Sequence, residues 1–158
     1  MPYRIVRASS QEELSQILSL FNAYQDFLGI DLCFQDFAGE CERLPGEYAS
    51  PEGCLLLAFA ENGEPAGCVA LRKLEKGIGE LKRFFVKPEH TGKGIGRALL
   101  SRIIREARDI GYKKLRLDSL RRLGYAHHLY VDYGFVEIPP YNESPMEDVF
   151  HMELELKE

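Results

Sequence analysis

Apolar positions change their spacing several times along this chain, and each change marks an element. Residues 3–7 alternate apolar and polar side chains like a short strand. Leu14, Ile17, Leu18, Phe21 and Phe27/Leu28 then recur at helical spacing. Ser9 or Ser10 with Glu12 or Glu13 offers a capping box ahead of them, and Gly29 offers a stop. Residues 31–53 are mixed, with helical turns expected from Phe34 to Cys41 and then a loop containing Pro and Gly. Cys54–Glu61 and Pro65–Leu74 read as strands joined by a tight hairpin at "ENGEP". A third strand covers Ile78–Val86 and ends before Pro88. Ile95, Leu99, Ile103, Ala107 and Ile110 line one face of a long helix, widened by Leu100 and Ile104 and closed by Gly111. "KKLRLDS" is a further strand. Leu123, Ala126, Tyr130 and Tyr133 make a second late helix that Gly134 terminates, and Phe135–Ile138 and Val149–Leu156 are the closing strands.

The order β-α-(α)-β-β-β-α-β-α-β-β predicts an α+β layered fold with a mixed sheet. The chain has 158 residues, 45% of them hydrophobic, which suits one domain over 1–158 with a core that requires neither disulfide nor metal. No repeat, low-complexity tract or linker divides it. No apolar run approaches the roughly 18 residues that span a bilayer, and "MPYRIVRASS" lacks a signal-peptide core. A cytoplasmic protein without a membrane partner is expected. Cys33, Cys41, Cys54 and Cys68 show no CxxC spacing and read as free thiols in a reducing compartment.

Charge alters the picture because it is segregated. The net charge is −5, but residues 9–62 carry −9, residues 72–122 carry +10 and residues 123–158 carry −7. A basic centre between acidic flanks suits an anionic ligand held in mid-fold. Overall acidity and the lack of an aromatic-basic surface pattern argue against a nucleic-acid partner.

The candidate chemistry begins at "KPEHTGKGIGRALL", residues 87–100. Glycines at the mouth of a helix let an anion approach unpaired N–H groups at the positive end of the helix dipole. Lys93 and Arg97 add charge at the rim, so the expected ligand is a phosphate or pyrophosphate. Gly92 and Gly94 are not followed by the spacing of a Walker loop. Arg97 follows Gly92-Lys93-Gly94-Ile95-Gly96, so the Rossmann spacing fails as well. A kinase glycine loop lies between two strands and does not precede a helix.

"VKPEHTGKGIGRALL" resembles motif A of the GCN5-related N-acetyltransferases, whose signature is [QR]-x-x-G-x-[GA]; Thr91 stands where Gln or Arg is usual. "GELKRFFVKPEHTGKGIGRALL", "ARDIGYKKLRLDSL" and "HLYVDYGFVEIPPY" are similar to a bacterial subfamily of small-substrate acetyltransferases. The resemblance implies a layered fold with a central, mixed but mostly antiparallel sheet flanked by helices. It implies acetyl-CoA as cosubstrate, with its pyrophosphate on the amides of Gly92, Lys93, Gly94, Ile95, Gly96, Arg97 and Ala98 and a further cofactor contact from the Thr91 backbone. Its pantetheine would run along Phe84, Phe85 and Val86, where strand splaying frees backbone amides.

Acetyl transfer to an amine needs a base for the acceptor and an acid for the departing thiolate. Glu80 is the candidate base, directly or through water. Period-two alternation puts Glu80, Lys82, Phe84 and Val86 on one side of their strand, and Glu80 lies eleven residues before Thr91, the offset of the strand glutamate in histone-type members. Tyr130 is the candidate acid: "AHHLYVDYGF" matches the family's A-x-x-L-Y-x-x-x-G-F, whose tyrosine points at the coenzyme sulfur. Tyr125 and Tyr133 read as core aromatics. His127 and His128 point about 100° apart on a helix, and no ligand spacing suggests a metal. The acceptor is expected between residues 24–47 and 137–148, both acidic, with Phe34, Phe37 and Tyr141 among the acids. This suggests a small cationic or amino-acid-like amine. The alternatives are acetylation of a protein terminus or lysine, and a non-catalytic acyl-CoA sensor. The sequence fixes no oligomeric state, and a homodimer is compatible with it.

Overall fold

The computed structural model describes residues 3–29 and 37–156. Its strands are β1 (Tyr3–Arg7), β2 (Cys54–Ala60), β3 (Pro65–Glu75), β4 (Ile78–Val86), β5 (Lys114–Leu120), β6 (Val136–Ile138) and β7 (Val149–Glu155). Its α-helices are α1 (Gln11–Leu28), α2 (Phe37–Glu42), α3 (Ile95–Ile110) and α4 (Gly124–Asp132). The strands form one sheet in the order β1-β2-β3-β4-β5-β7-β6. Every neighbouring pair is antiparallel except β4 and β5, which run parallel. The expected mixed, mostly antiparallel sheet flanked by helices is therefore observed.

Local signals explain most of the element ends. Ser10 caps α1: its hydroxyl accepts from the Glu13 amide at 3.1 Å, and Glu13 accepts from the Ser10 amide at 3.1 Å. The Ser9 amide, which donates to the same oxygen at 3.0 Å, and then the Ser10 amide hold the Glu13 carboxyl below its usual range. Gly111 closes α3 in the left-handed region, at φ 110°. β2 is buried along its whole length, as a continuous apolar run in a covered strand requires. Leu56 and Ala58 pack with Ile95, Leu99 and Ile103 of α3 on one face. Leu55, Leu57 and Phe59 pack with Ile17, Leu20 and Phe21 of α1 on the other. Cys54 and Cys68 are buried and form no disulfide among the described residues, and burial pushes both thiols up, Cys54 to about 11.

Two features of β4 position the site. Cys68 pairs with Phe85 and Ala70 with Lys82, so β4 carries one residue more than β3 between these pairs. The extra residue is absorbed at Arg83, a non-glycine residue at φ 57°. The Arg83 guanidinium is held by Glu40 through bonds of 2.9 and 3.0 Å, which keep it in this sparsely populated conformation. The bulge reverses the side-chain parity. Phe84 and Val86 join the α3 face and Phe85 joins the α1 face, while Glu80 and Lys82 stand opposite Arg72 and Ala70. The expectation that Glu80, Lys82, Phe84 and Val86 share one side fails for this reason.

The second feature is a fork. β4 and β5 pair only from Ile78↔Lys114 to Glu80↔Arg116, whereas β3 follows β4 to Val86 and β7 follows β5 to Leu120. The two parallel strands separate beyond Glu80, at their C-terminal ends. That is where open sheets containing parallel strands bind ligands.

Candidate active site

The fork opens beside the glycine loop. Pro88 starts a short 3-10 turn that ends at His90, and the Thr91 amide and hydroxyl both donate to the Pro88 carbonyl, at 3.3 and 2.8 Å. Gly92 at φ 80° and Gly94 at φ 84° then carry the chain through two left-handed steps that side-chain-bearing residues disfavour. Gly96 has a different reason to be small: a Cβ there would meet Leu129 at 3.3 Å and the Tyr125 hydroxyl at 3.4 Å. α3 begins at Ile95 without a side-chain cap. Among the described residues, the amides from Gly92 to Arg97 have no hydrogen-bond partner. They form a continuous row of donors at the positive end of a long helix.

Two details depart from the sequence expectation, at Ala98 and Thr91. The Ala98 amide donates to the Gly94 carbonyl at 3.1 Å, so the free row stops at Arg97. Thr91 uses its amide and its hydroxyl within the turn. Ile95 is 1% exposed and offers the site only its backbone. The rim charges are present but engaged. Lys93 Nζ lies 3.3 Å from His90 Nδ1, whose ring reaches Glu64 through Nε2. Arg97 donates to Asp132 at 2.8 Å.

A cleft of about 490 Å³ leads from this loop into the fork, and its walls include Phe84, Phe85, Val86, Thr91 and Gly92. The remaining walls come from Tyr24 and Phe27 of α1 and from residues 122–126 at the start of α4. Phe27 and Tyr125 are 53% and 52% exposed. Large aromatics left open in a concave apolar channel suit an apolar ligand arm. Tyr125 thus lines the cleft and is not a core aromatic; a helix of nine residues is too short for periodicity to separate the two roles. Tyr133 is half-buried, and its hydroxyl bonds Ser101 at 2.6 Å.

Tyr130 lies inside this wall, 3% exposed, with its ring 5.9 Å from Phe84 and 5.6 Å from Phe135. Among the described residues its hydroxyl has no hydrogen-bond partner. Burial, then the neighbouring Tyr24 and Asp118 charges, hold this phenol well above its ordinary range, and its proton stays on at neutral pH.

Glu80 is fully buried and occupied on both oxygens. Arg72 Nε donates to Oε1 at 2.8 Å and the Tyr141 hydroxyl donates to Oε2 at 2.7 Å. Arg72 also bonds Glu47 at 2.6 Å. Tyr141 is therefore tied to a carboxylate, under Arg116 and against His151. Burial and then the Glu80 charge raise its phenol far above the usual range. Phe37 is 5% exposed and packs under Arg83 in the core. Phe34 lies outside the described residues. His127 packs on Phe150 and His128 faces Asp132. Among the described residues no group of three or more His, Cys, Asp or Glu could hold a metal ion, and no helix is long and apolar enough to cross a membrane.

On the α1 face of the fork lies a second pocket, of about 200 Å³, lined by Glu40, Arg72, Lys82, Arg83, Asp118, Asn142 and Glu143. Glu40, Asn142 and Glu143 fall in the two segments expected to flank the acceptor; Arg83 and Asp118 went unremarked in the sequence, because the lining comes from five separate segments that only the fold brings together.

Comparison with known proteins gives this arrangement a family. Residues 15–135 match the model of the Acetyltransferase (GNAT) family. An uncharacterised N-acetyltransferase of Schizosaccharomyces pombe is 34% identical over 146 residues, covering 92% of this chain and 90% of the relative. Another, from Dictyostelium discoideum, is 29% identical and spans 99% of this chain and 100% of its own. Both are eukaryotic, so the resemblance is not confined to bacterial proteins. An acetyltransferase of Salmonella typhimurium, solved with its cofactor acetyl-CoA, superposes with a TM-score of 0.70 at 23% identity, over 100% of this chain and 96% of that one. The chain is an acyltransferase and belongs to the Acetyltransferase (GNAT) family.

Proposed function

We propose that this enzyme transfers an acetyl group from acetyl-CoA to the primary amine of a small, amino-acid-like acceptor. Acetyl-CoA, when bound, supplies an activated acyl carbon and a thiolate leaving group. The amides from Gly92 to Arg97 hold its pyrophosphate, with Lys93 and Arg97 at the rim. Phe84, Phe85, Val86, Tyr24 and Phe27 flank its apolar arm in the cleft. Tyr130 holds a proton on Oη for the departing sulfur. Glu80 shapes the acceptor side through its grip on Arg72 and Tyr141, and the acceptor ammonium gives its proton through water to solvent before the free amine attacks the acyl carbon. The row of free amides and the apolar cleft beside the fork support this fit.

One observation carries the acceptor reading. The 200 Å³ pocket carries both signs of charge. Arg72, Lys82 and Arg83 come from β3 and β4, Asp118 and Glu143 from β5 and the loop after β6, and Glu40, from α2, is taken up by Arg83. A zwitterion finds groups of both signs in such a wall; a polyamine meets three like charges. The pocket's size and its cover by the 139–148 segment favour a small molecule over a protein terminus. The buried thiols, which form no disulfide among the described residues, fit a reducing cytoplasm.

A panel assayed for coenzyme A release tests this: the L-amino acids, putrescine, spermidine and a lysine-containing peptide. Turnover of one or more amino acids about tenfold or more above the polyamines and the peptide is expected, since like-charge juxtaposition costs several kcal/mol. Turnover confined to polyamines or to the peptide would contradict it.

A further inference from the structure

In the sequence Asp118 is simply a polar position in β5. In the fold it occupies the fork. It lies two residues past Arg116, the last residue of β5 to pair with β4. Leu115 and Leu117 turn to the α3 face, so Arg116 and Asp118 turn to the acceptor face. The Asp118 side chain is 14% exposed and lines the mixed-charge pocket.

Its orientation is set from outside its own strand. Asn142 Nδ2 donates to Asp118 Oδ2 at 2.7 Å, and Asn142 Oδ1 lies 2.7 Å from His151 Nε2. The carboxylate only accepts, so Asn142 must turn its NH₂ towards it. The amide oxygen then faces His151, which must donate through Nε2. Loop and β7 together fix one oxygen of Asp118. The other, Oδ1, has no donor within hydrogen-bond distance among the described residues; Lys82 Nζ stands 4.0 Å away. Glu80 is the opposite case, fully enclosed with both oxygens bonded. The Asp118 charge also reaches the aromatic walls of the fork: it adds to burial in raising the Tyr24 phenol to about 12 and in holding the Tyr130 phenol well above its ordinary range.

We propose that Asp118, oriented by Asn142 and His151, docks the ammonium group of the acceptor at the fork, and that this residue sets the requirement for an amine. The proposal rests on the reading of the mixed-charge pocket as the acceptor site. Asp118 Oδ1 offers an ammonium a charge-assisted hydrogen bond. Asn142 and His151 are positioning residues that keep Oδ1 turned to the pocket.

Two measurements test it. The first uses the best amine of the panel above. Asp118→Asn is expected to raise its KM about 30-fold or more with a smaller change in kcat, as loss of a charged docking contact predicts. Asn142→Ala and His151→Phe are expected to raise KM about fivefold, with the KM for acetyl-CoA unchanged in all three. The second uses the unsubstituted protein and needs no turnover. The Asp118 ¹³Cγ resonance, assigned by through-bond correlation, is titrated with n-butylammonium chloride and, separately, with n-butanol. A saturable shift with the ammonium alone is expected. An unmoved resonance, or an unchanged amine KM in folded Asp118→Asn, overturns the docking role and leaves the amino-acid reading standing. A saturable shift combined with no turnover of any amino acid upholds docking and overturns that reading instead.

Discussion

Gly94→Glu is expected to fold and to lose acetyl-CoA affinity by about 100-fold or more, because it sets a carboxylate in an anion site at a helix mouth. Two effects combine there. Gly94 sits at φ 84°, and a side-chain-bearing residue in that region costs roughly 1–2 kcal/mol. That strain alone is insufficient to unfold the protein, because α3 is anchored by Ile95, Leu99, Leu100, Ile103 and Ala107 in the core. Apart from its chain neighbours, no atom of the described residues lies within 4 Å of the added Cβ, so the glutamate has room to extend across the free amides. Gly94→Ala separates the terms: it shares the strain and lacks the charge, and its loss is expected to be about tenfold smaller. Circular dichroism checks the fold and a binding titration reads the affinity. Equal losses in the two variants would assign the effect to backbone geometry instead of charge.

The second large effect is Tyr130→Phe. It removes one hydroxyl from a buried wall and leaves the ring contacts with Phe84 and Phe135 in place. Turnover is expected to fall about 100-fold, the low end of general-acid contributions, with the KM for acetyl-CoA within about twofold. The pH dependence has a definite sign. The raised phenol holds its proton throughout the neutral range, so Tyr130 adds no falling limb to the rate profile below pH 10. Unchanged turnover in Tyr130→Phe would remove the acid role; an equal rise in KM would make the hydroxyl a binding contact.

Much of the frame was legible because burial imposes periodicity. β2 needed an unbroken apolar run, α3 a 3.6-residue stripe, and the ends of α1 and α3 a capping box and glycines, all visible one residue at a time. The site was legible where a short stretch builds it, as in the glycine loop. It was illegible where distant segments meet. The bulge at Arg83 carries no glycine or turn residue to announce it; Glu40, from another element, holds it open. The fork is an absence of pairing, which no residue type encodes. Tyr141 reaches Glu80 across 61 positions of sequence, and Asn142 reaches Asp118 across 24. Those contacts tie the expected substrate aromatic, Tyr141, to the expected base, Glu80.

The central claim is that the bare amides between Gly92 and Arg97 hold the pyrophosphate of acetyl-CoA. Calorimetric titration of the folded protein tests it most directly, with desulfo-coenzyme A and pantetheine as separate titrants. One-to-one binding of desulfo-coenzyme A, with pantetheine weaker by about 100-fold or more, is the result expected if the diphosphate end carries the affinity. Equal affinity for the two titrants, or no heat from either, would contradict it.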